Sequence, residues 1–93
     1  MIKSFKDSEA ELLFSRERSK KIPATIHRVA LRKLVMLDAA VTVDDLRVPP
    51  GNRLELLKGS RSGQHSIRIN DQWRVCFVWR DGHSYHVEII DYH

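Results

Sequence analysis

Cysteine, glycine and proline are all scarce in this chain of 93 residues, which has one, four and three of them. The single cysteine, Cys76, excludes an internal disulfide and a cysteine-rich zinc site. The glycines stand apart at turn positions, so there is no glycine-rich phosphate loop. No apolar run approaches the roughly 20 residues that a membrane span needs. The opening Met1-Ile2-Lys3-Ser4-Phe5-Lys6-Asp7 lacks the apolar stretch of a secretory signal. A cytoplasmic protein with no membrane association is expected. The length suits one domain over residues 1–93. With 42% hydrophobic and 30% charged residues, the composition is that of a folded globular domain, not a disordered one.

What is present in excess is positive charge. Sixteen Lys and Arg against twelve Asp and Glu leave +4, with a sequence pI near 9.6. The charge alternates in blocks: +5 over residues 1–37, −2 over 38–52, +3 over 53–74 and −2 over 75–93. The excess is a modest pointer to a polyanionic partner.

Along the chain, the apolar period changes once. Ile2-Lys3-Ser4-Phe5 alternates as a short half-buried strand does. Ser8 and Glu11 form a capping-box pattern ahead of Ala10, Leu13 and Phe14, which share one helical face. Pro23 opens a second helix, in which Ile26, Val29, Ala30, Leu34 and Leu37 keep a 3.6-residue period. Pro49-Pro50-Gly51-Asn52 is a breaker. Beyond it the period is two. Leu54 and Leu56, then Ile67 and Ile69, then Trp73, Val75, Phe77 and Trp79, then Tyr85, Val87 and Ile89 define four strands. Two helices followed by four strands with short connections predict an α+β domain with a mostly antiparallel sheet.

Loop parity sets the expected register. To bring Ile67 and Ile69 onto the face of Trp73 and Val75, the loop needs an odd length, which Asn70-Asp71-Gln72 supplies. The same demand at the next hairpin selects Arg80-Asp81-Gly82 and places Val75 opposite Val87 and Phe77 opposite Tyr85. The other face then carries Ser66, Arg68, Arg74, Cys76, Val78, His86, Glu88, Ile90 and Tyr92, with Arg53 and Glu55 beside them.

That face has the residue types for metal-free cleavage of RNA, which requires a base, an acid and cations on the phosphate. His93 titrates near neutrality and suits either proton-transfer role. Tyr92 can donate a hydrogen bond or stack on a base. Arg74 can hold a phosphate through two hydrogen bonds and Lys58 as a point charge. Arg53 and Arg68 are candidate substrate-binding cations. Other readings stay open. Arg74 lies opposite Glu88 in this register and, taken alone, reads first as half of a cross-strand ion pair. His93 reads as a solvated tail and Asp91 as a strand-end cap. His83 and His86, three apart on a strand, face opposite ways, so no metal site is expected.

The opening Met1-Ile2-Lys3-Ser4-Phe5, the Leu57-Lys58-Gly59 strand end, Ser66-Ile67-Arg68-Ile69, Trp73-Arg74 and the closing Asp91-Tyr92-His93 together resemble the HigB-type toxins of bacterial toxin–antitoxin systems, within the RelE/ParE superfamily. The resemblance implies a RelE-like microbial ribonuclease fold and a metal-independent, ribosome-dependent endoribonuclease that cuts mRNA and arrests translation, with no cofactor. It implies that Lys58 and Arg74 neutralise the phosphate, and that Asp91, Tyr92 and His93 complete the catalytic set. It also implies as partners the 70S ribosome, mRNA and a HigA-type helix-turn-helix antitoxin, through which operator DNA is bound. Some HigB-type toxins carry a histidine three residues before the Lys-Gly lysine. Glu55 stands there in this chain and is a further candidate for the site. Two rivals remain: a ParE-like inhibitor of DNA gyrase, and a non-enzymatic RNA- or ribosome-binding module.

Overall fold

The first helix, α1 (Ser8–Phe14), begins at Asp7, whose extended backbone and side-chain oxygen meet the Glu9 amide at 2.9 Å. The cap is therefore Asp7, not the expected Ser8. Ser8 already has helical geometry, and a carboxylate accepts the orphan amide in its place. The computed structural model describes residues 1–91, and Tyr92 and His93 lie outside the described residues. After α1 the polar segment is ordered around buried Ser19. Its hydroxyl donates to Glu9 at 2.6 Å and accepts the amide of Ile22. A single helical turn, Ala24–Ile26, leads into α2 (His27–Ala39). Ala30, Leu34 and Leu37 of α2 are buried as the period requires, and Arg28 and Arg32 are exposed. Lys33 is buried as well, a charged residue within the apolar stripe.

Four strands form one antiparallel sheet in the order β1 (Glu55–Leu56), β2 (Gln64–Arg68), β3 (Trp73–Arg80) and β4 (His83–Asp91). The helices pack over β3 and β4. Ile67, Ile69, Val75, Phe77, Val87 and Ile89 close against Ala10, Leu13, Leu34 and Leu37, with Trp73 and Trp79 at the margin. This is the expected α+β architecture and the expected core face. The N-terminal segment makes two parallel bridges to β4, Ile2 to Ser84 and Phe5 to Val87, and not the continuous strand that its alternation predicts. Of the expected inward pair Leu54 and Leu56, Leu54 packs against the core and Leu56 is corrected. Leu56 is 60% exposed, because β1 is a two-residue edge strand on the side of the sheet away from the helices, while Leu57 is buried.

The β2–β3 hairpin has the expected register, with Ile67 opposite Val75 and Arg68 opposite Arg74. The β3–β4 hairpin does not. Arg80 pairs with His83 across a two-residue turn, Asp81-Gly82, and both turn residues have positive φ (52° and 79°). Such a turn matches the strand twist, and Asp-Gly is well suited to it. The odd residue that parity demands sits further along, in a bulge between Cys76 and Val78 where His86 has φ 53°. Val87 and Ile89 thus reach the core face as expected, but two positions out of the predicted pairing. Tyr85 lies opposite Val78, away from the core, with the Arg80 guanidinium 4.5 Å from its ring centre. Arg74 lies opposite Ile90, and Glu88 opposite Cys76. The Arg74–Glu88 cross-strand pair is therefore overturned.

Candidate active site

On the face away from the helices, the pairing aligns Glu55, Ser66, Cys76 and Glu88 in a row across all four strands. Beside it Arg68 and Arg74 stand opposite one another. Like charges in that position repel, so each needs its own compensation. Arg68 is paired with Asp71 in the hairpin turn at 2.5 Å. This hydrogen bond, reinforced by the Arg68 charge and then by Arg53, holds the Asp71 carboxyl below the usual carboxylate range.

Arg74 is held differently. It is 8% exposed, and its guanidinium donates through Nε to Ser66 Oγ at 2.8 Å. Its Nη2 donates to the Arg53 carbonyl at 2.6 Å and to the Ser66 carbonyl at 3.3 Å. A planar cation with several donors is thereby locked in one orientation at the end of the sheet. The Arg53 carbonyl reaches it because Arg53 itself has left-handed backbone (φ 45°, ψ 57°) directly after the turn Pro50–Asn52.

Lys58 is exposed at the start of the turn Gly59–Arg61. Arg61 fastens this turn across the sheet by donating to Glu88 at 3.3 Å and to Gln64 at 3.3 Å. Lys6 stands 3.5 Å from the same Glu88 carboxylate. Glu55, Leu56, Leu57 and Lys58 line a shallow hollow of about 400 Å³. Cys76, fully buried in the row, has its thiol pushed up to about 11, chiefly by loss of solvent. It is a packed apolar side chain, as its place in mid-strand implies.

The register thus brings Arg53, Arg68 and Arg74 to one end of the sheet, with Glu55 slightly further in, and places Lys58 at the opposite end of β1, beyond the level of Gln64. Asp91 ends β4 opposite Trp73, which by register is the face away from Arg74, and it accepts a hydrogen bond from Gln72 at 3.1 Å. The expected roles of Tyr92 and His93 fall outside the described residues. Among the described residues no three His, Cys, Asp or Glu side chains gather as a metal-binding group, and no helix is long and apolar enough to cross a membrane. Sequence reasoning passed over Arg61 and the partnership of Ser66 with Arg74. Ser66 carried a signal, as a small hydroxyl diagonal to an arginine, whereas Arg61 carried none until the register placed Glu88.

Residues 3–93 match the family described as the RelE-like toxin of the type II toxin-antitoxin system HigB. The chain belongs to the HigB family of RelE-like toxins. It is similar to Toxin HigB-1 of Vibrio cholerae serotype O1, at 46% identity over 83 residues, covering 88% of this chain and 87% of that one. It is similar also to Endoribonuclease HigB of Proteus vulgaris, at 35% identity over 94 residues and the full length of both. Among solved structures, YafQ from E. coli strain BL21(DE3) has a similar fold. The TM-score is 0.57 at 12% identity, over 98% of this chain and 93% of that one. Membership in a type II system implies an antitoxin as the partner of this HigB-family toxin.

Proposed function

We propose that this single-domain toxin is a metal-independent endoribonuclease that cuts mRNA on the 70S ribosome. The observation that carries the reading is the locked Arg74 guanidinium, set between Arg53 and Arg68, in a chain similar throughout to a protein named Endoribonuclease HigB. In the proposed reaction a base removes the proton of the 2′-hydroxyl and its oxygen attacks the adjacent phosphorus. The bond from phosphorus to the 5′-oxygen breaks, and that oxygen takes a proton from an acid. Arg74 and Lys58 neutralise the charge that builds on the phosphate. Arg53 and Arg68 hold the flanking backbone. His93 is assigned to proton transfer, and Asp91 and Tyr92 to the same terminal part of the site. Glu55, at the rim of the hollow near Lys58, is a second candidate base. The ribosome orients the substrate, which accounts for catalysis from a shallow surface. The antitoxin is assigned to the HigA type, a helix-turn-helix protein that carries the contact with operator DNA, and the complex to the cytoplasm.

The test is cleavage of one defined mRNA by the purified toxin, free in solution and on programmed ribosomes. Cutting only on the ribosome is expected, with at least about a hundredfold loss for Lys58→Ala and for Arg74→Lys. An intact message together with trapped gyrase–DNA complexes, or ribosome binding without any cut, contradicts the proposal.

A further inference from the structure

Two buried polar residues behind the site have no part in the chemistry just described. Lys33, on the core side of α2, is 5% exposed, and its ammonium donates to the side-chain oxygen of Asn52 at 2.5 Å. Asn52 is fully buried, an unusual place for a polar turn residue. Its amide donates to the carbonyls of Leu46 at 3.1 Å and Val48 at 3.5 Å, and lies 3.7 Å from the Met36 sulfur. One asparagine side chain therefore ties α2 to the turn Val43–Arg47 and to its own turn, Pro50–Asn52.

The next residue is Arg53, whose left-handed backbone costs a residue with a β-carbon on the order of 1 kcal/mol. Such a conformation persists only where its surroundings over-determine it. On one side it is held by the buried Asn52, and on the other its carbonyl accepts from Arg74 at 2.6 Å. Burial, and then the charges of Arg32 and Arg68, lower the proton affinity of Lys33. Retaining a lysine in such surroundings costs stability, which fits a role outside packing.

We propose that Lys33 and Asn52 are positioning residues for the reaction. They hold the backbone of Arg53 so that its carbonyl fixes the Arg74 guanidinium facing the scissile phosphate. The proposal rests on the reading of Arg74 as a phosphate-binding group. Loss of Asn52 leaves the carbonyls of Leu46 and Val48 without this donor and lets the turn relax. Arg53 then leaves the left-handed region, and Arg74 loses the 2.6 Å hydrogen bond to that carbonyl. Docking on the ribosome is untouched.

The test is single-turnover cleavage on programmed ribosomes, with the toxin titrated to saturation. Asn52→Ala is expected to lower the saturating rate at least about tenfold, with the half-saturating concentration unchanged. In an Arg74→Lys background the same substitution is expected to cost less than about twofold, because the group that it positions is gone. Equal losses in the two backgrounds, an effect on half-saturation alone, or a full rate for Asn52→Ala overturns the positioning role and leaves the proposed function intact. A wild-type rate for Arg74→Lys overturns the reading of Arg74 and the positioning role with it. If urea unfolding shows Asn52→Ala to be unfolded at the assay temperature, Lys33→Met carries the same comparison.

Discussion

Replacing Arg74 by lysine keeps the charge but removes the planar fork that meets Ser66 Oγ, the Ser66 carbonyl and the Arg53 carbonyl together. An ammonium can recover one of these partners and leaves two. Charge-assisted hydrogen bonds contribute about 1.5 kcal/mol or more each, so the expected loss is about 3 kcal/mol. A domain of this size has roughly 5–14 kcal/mol in total, so the variant folds with a much smaller margin. With a urea slope of about 1–1.5 kcal/mol per molar, the midpoint falls by about 2–3 M, followed through Trp73 and Trp79 fluorescence. Ser66→Ala, at a fully buried position, is expected to cost about 1.5 kcal/mol alone. Much of that cost disappears when Arg74 is already lysine, giving a coupling of about 1 kcal/mol in the double-mutant cycle. A coupling within about 0.3 kcal/mol of zero would refute the account of how Arg74 is held. The cycle of Arg74→Lys with Glu88→Gln is expected to be additive, since Glu88 faces Cys76 and pairs with Arg61 and Lys6.

Other expectations follow from the buried titrating groups. With its thiol at about 11 and no exposed surface, Cys76 should react with iodoacetamide at pH 8 only as fast as the protein unfolds globally; rapid labelling of the folded form would contradict its burial. Folded Lys33 gives up its proton more readily than unfolded lysine, so its contribution rises with pH toward the ordinary lysine range. Relative to Lys33→Met, the native protein should therefore gain stability between neutral and alkaline pH in urea melts, and parallel profiles would contradict this. His65 stacks on Phe77 at 5.9 Å, and burial, then the Arg47 charge, lower its proton affinity. Its contribution is complete above the ordinary histidine value and is lost as pH falls below that value, through the lowered one of the folded state. His65→Gln should consequently flatten the acid limb of the stability profile below about pH 6.5.

The core was legible because period and parity act together. Ile67, Ile69, Val75, Phe77, Val87 and Ile89 can all be buried only on one face, and the loop Asn70-Asp71-Gln72 has the odd length that this requires. Parity states that one odd residue must exist between β3 and β4 without saying where. Asp81-Gly82 makes an even, two-residue turn, and the extra residue moves to His86, where the amides of His86 and Val87 donate to Ser4. The contribution of the N-terminal segment is long-range and has no mark in the local pattern. That displacement separated Arg74 from Glu88 and hid the partnership of Glu88 with Arg61. The basic end of the site was readable from residue types, because Arg53 precedes β1, Arg68 ends β2 and Arg74 opens β3, and antiparallel pairing brings those three positions together. Its rear support was not read, although a trace was present. Lys33 occupies a core position in the helical stripe of Ile26, Ala30 and Leu37, and a lysine there demands a buried partner.

The measurement that bears most directly on the account is mapping of mRNA 5′ ends after brief expression in cells, comparing the native chain with Arg74→Lys. New ends within ribosome-occupied reading frames are expected for the native chain, falling at least about a hundredfold for the variant at equal toxin abundance. Identical cleavage by both chains would show that the locked guanidinium does not serve the reaction, and no new ends from either would show that this toxin does not cut mRNA.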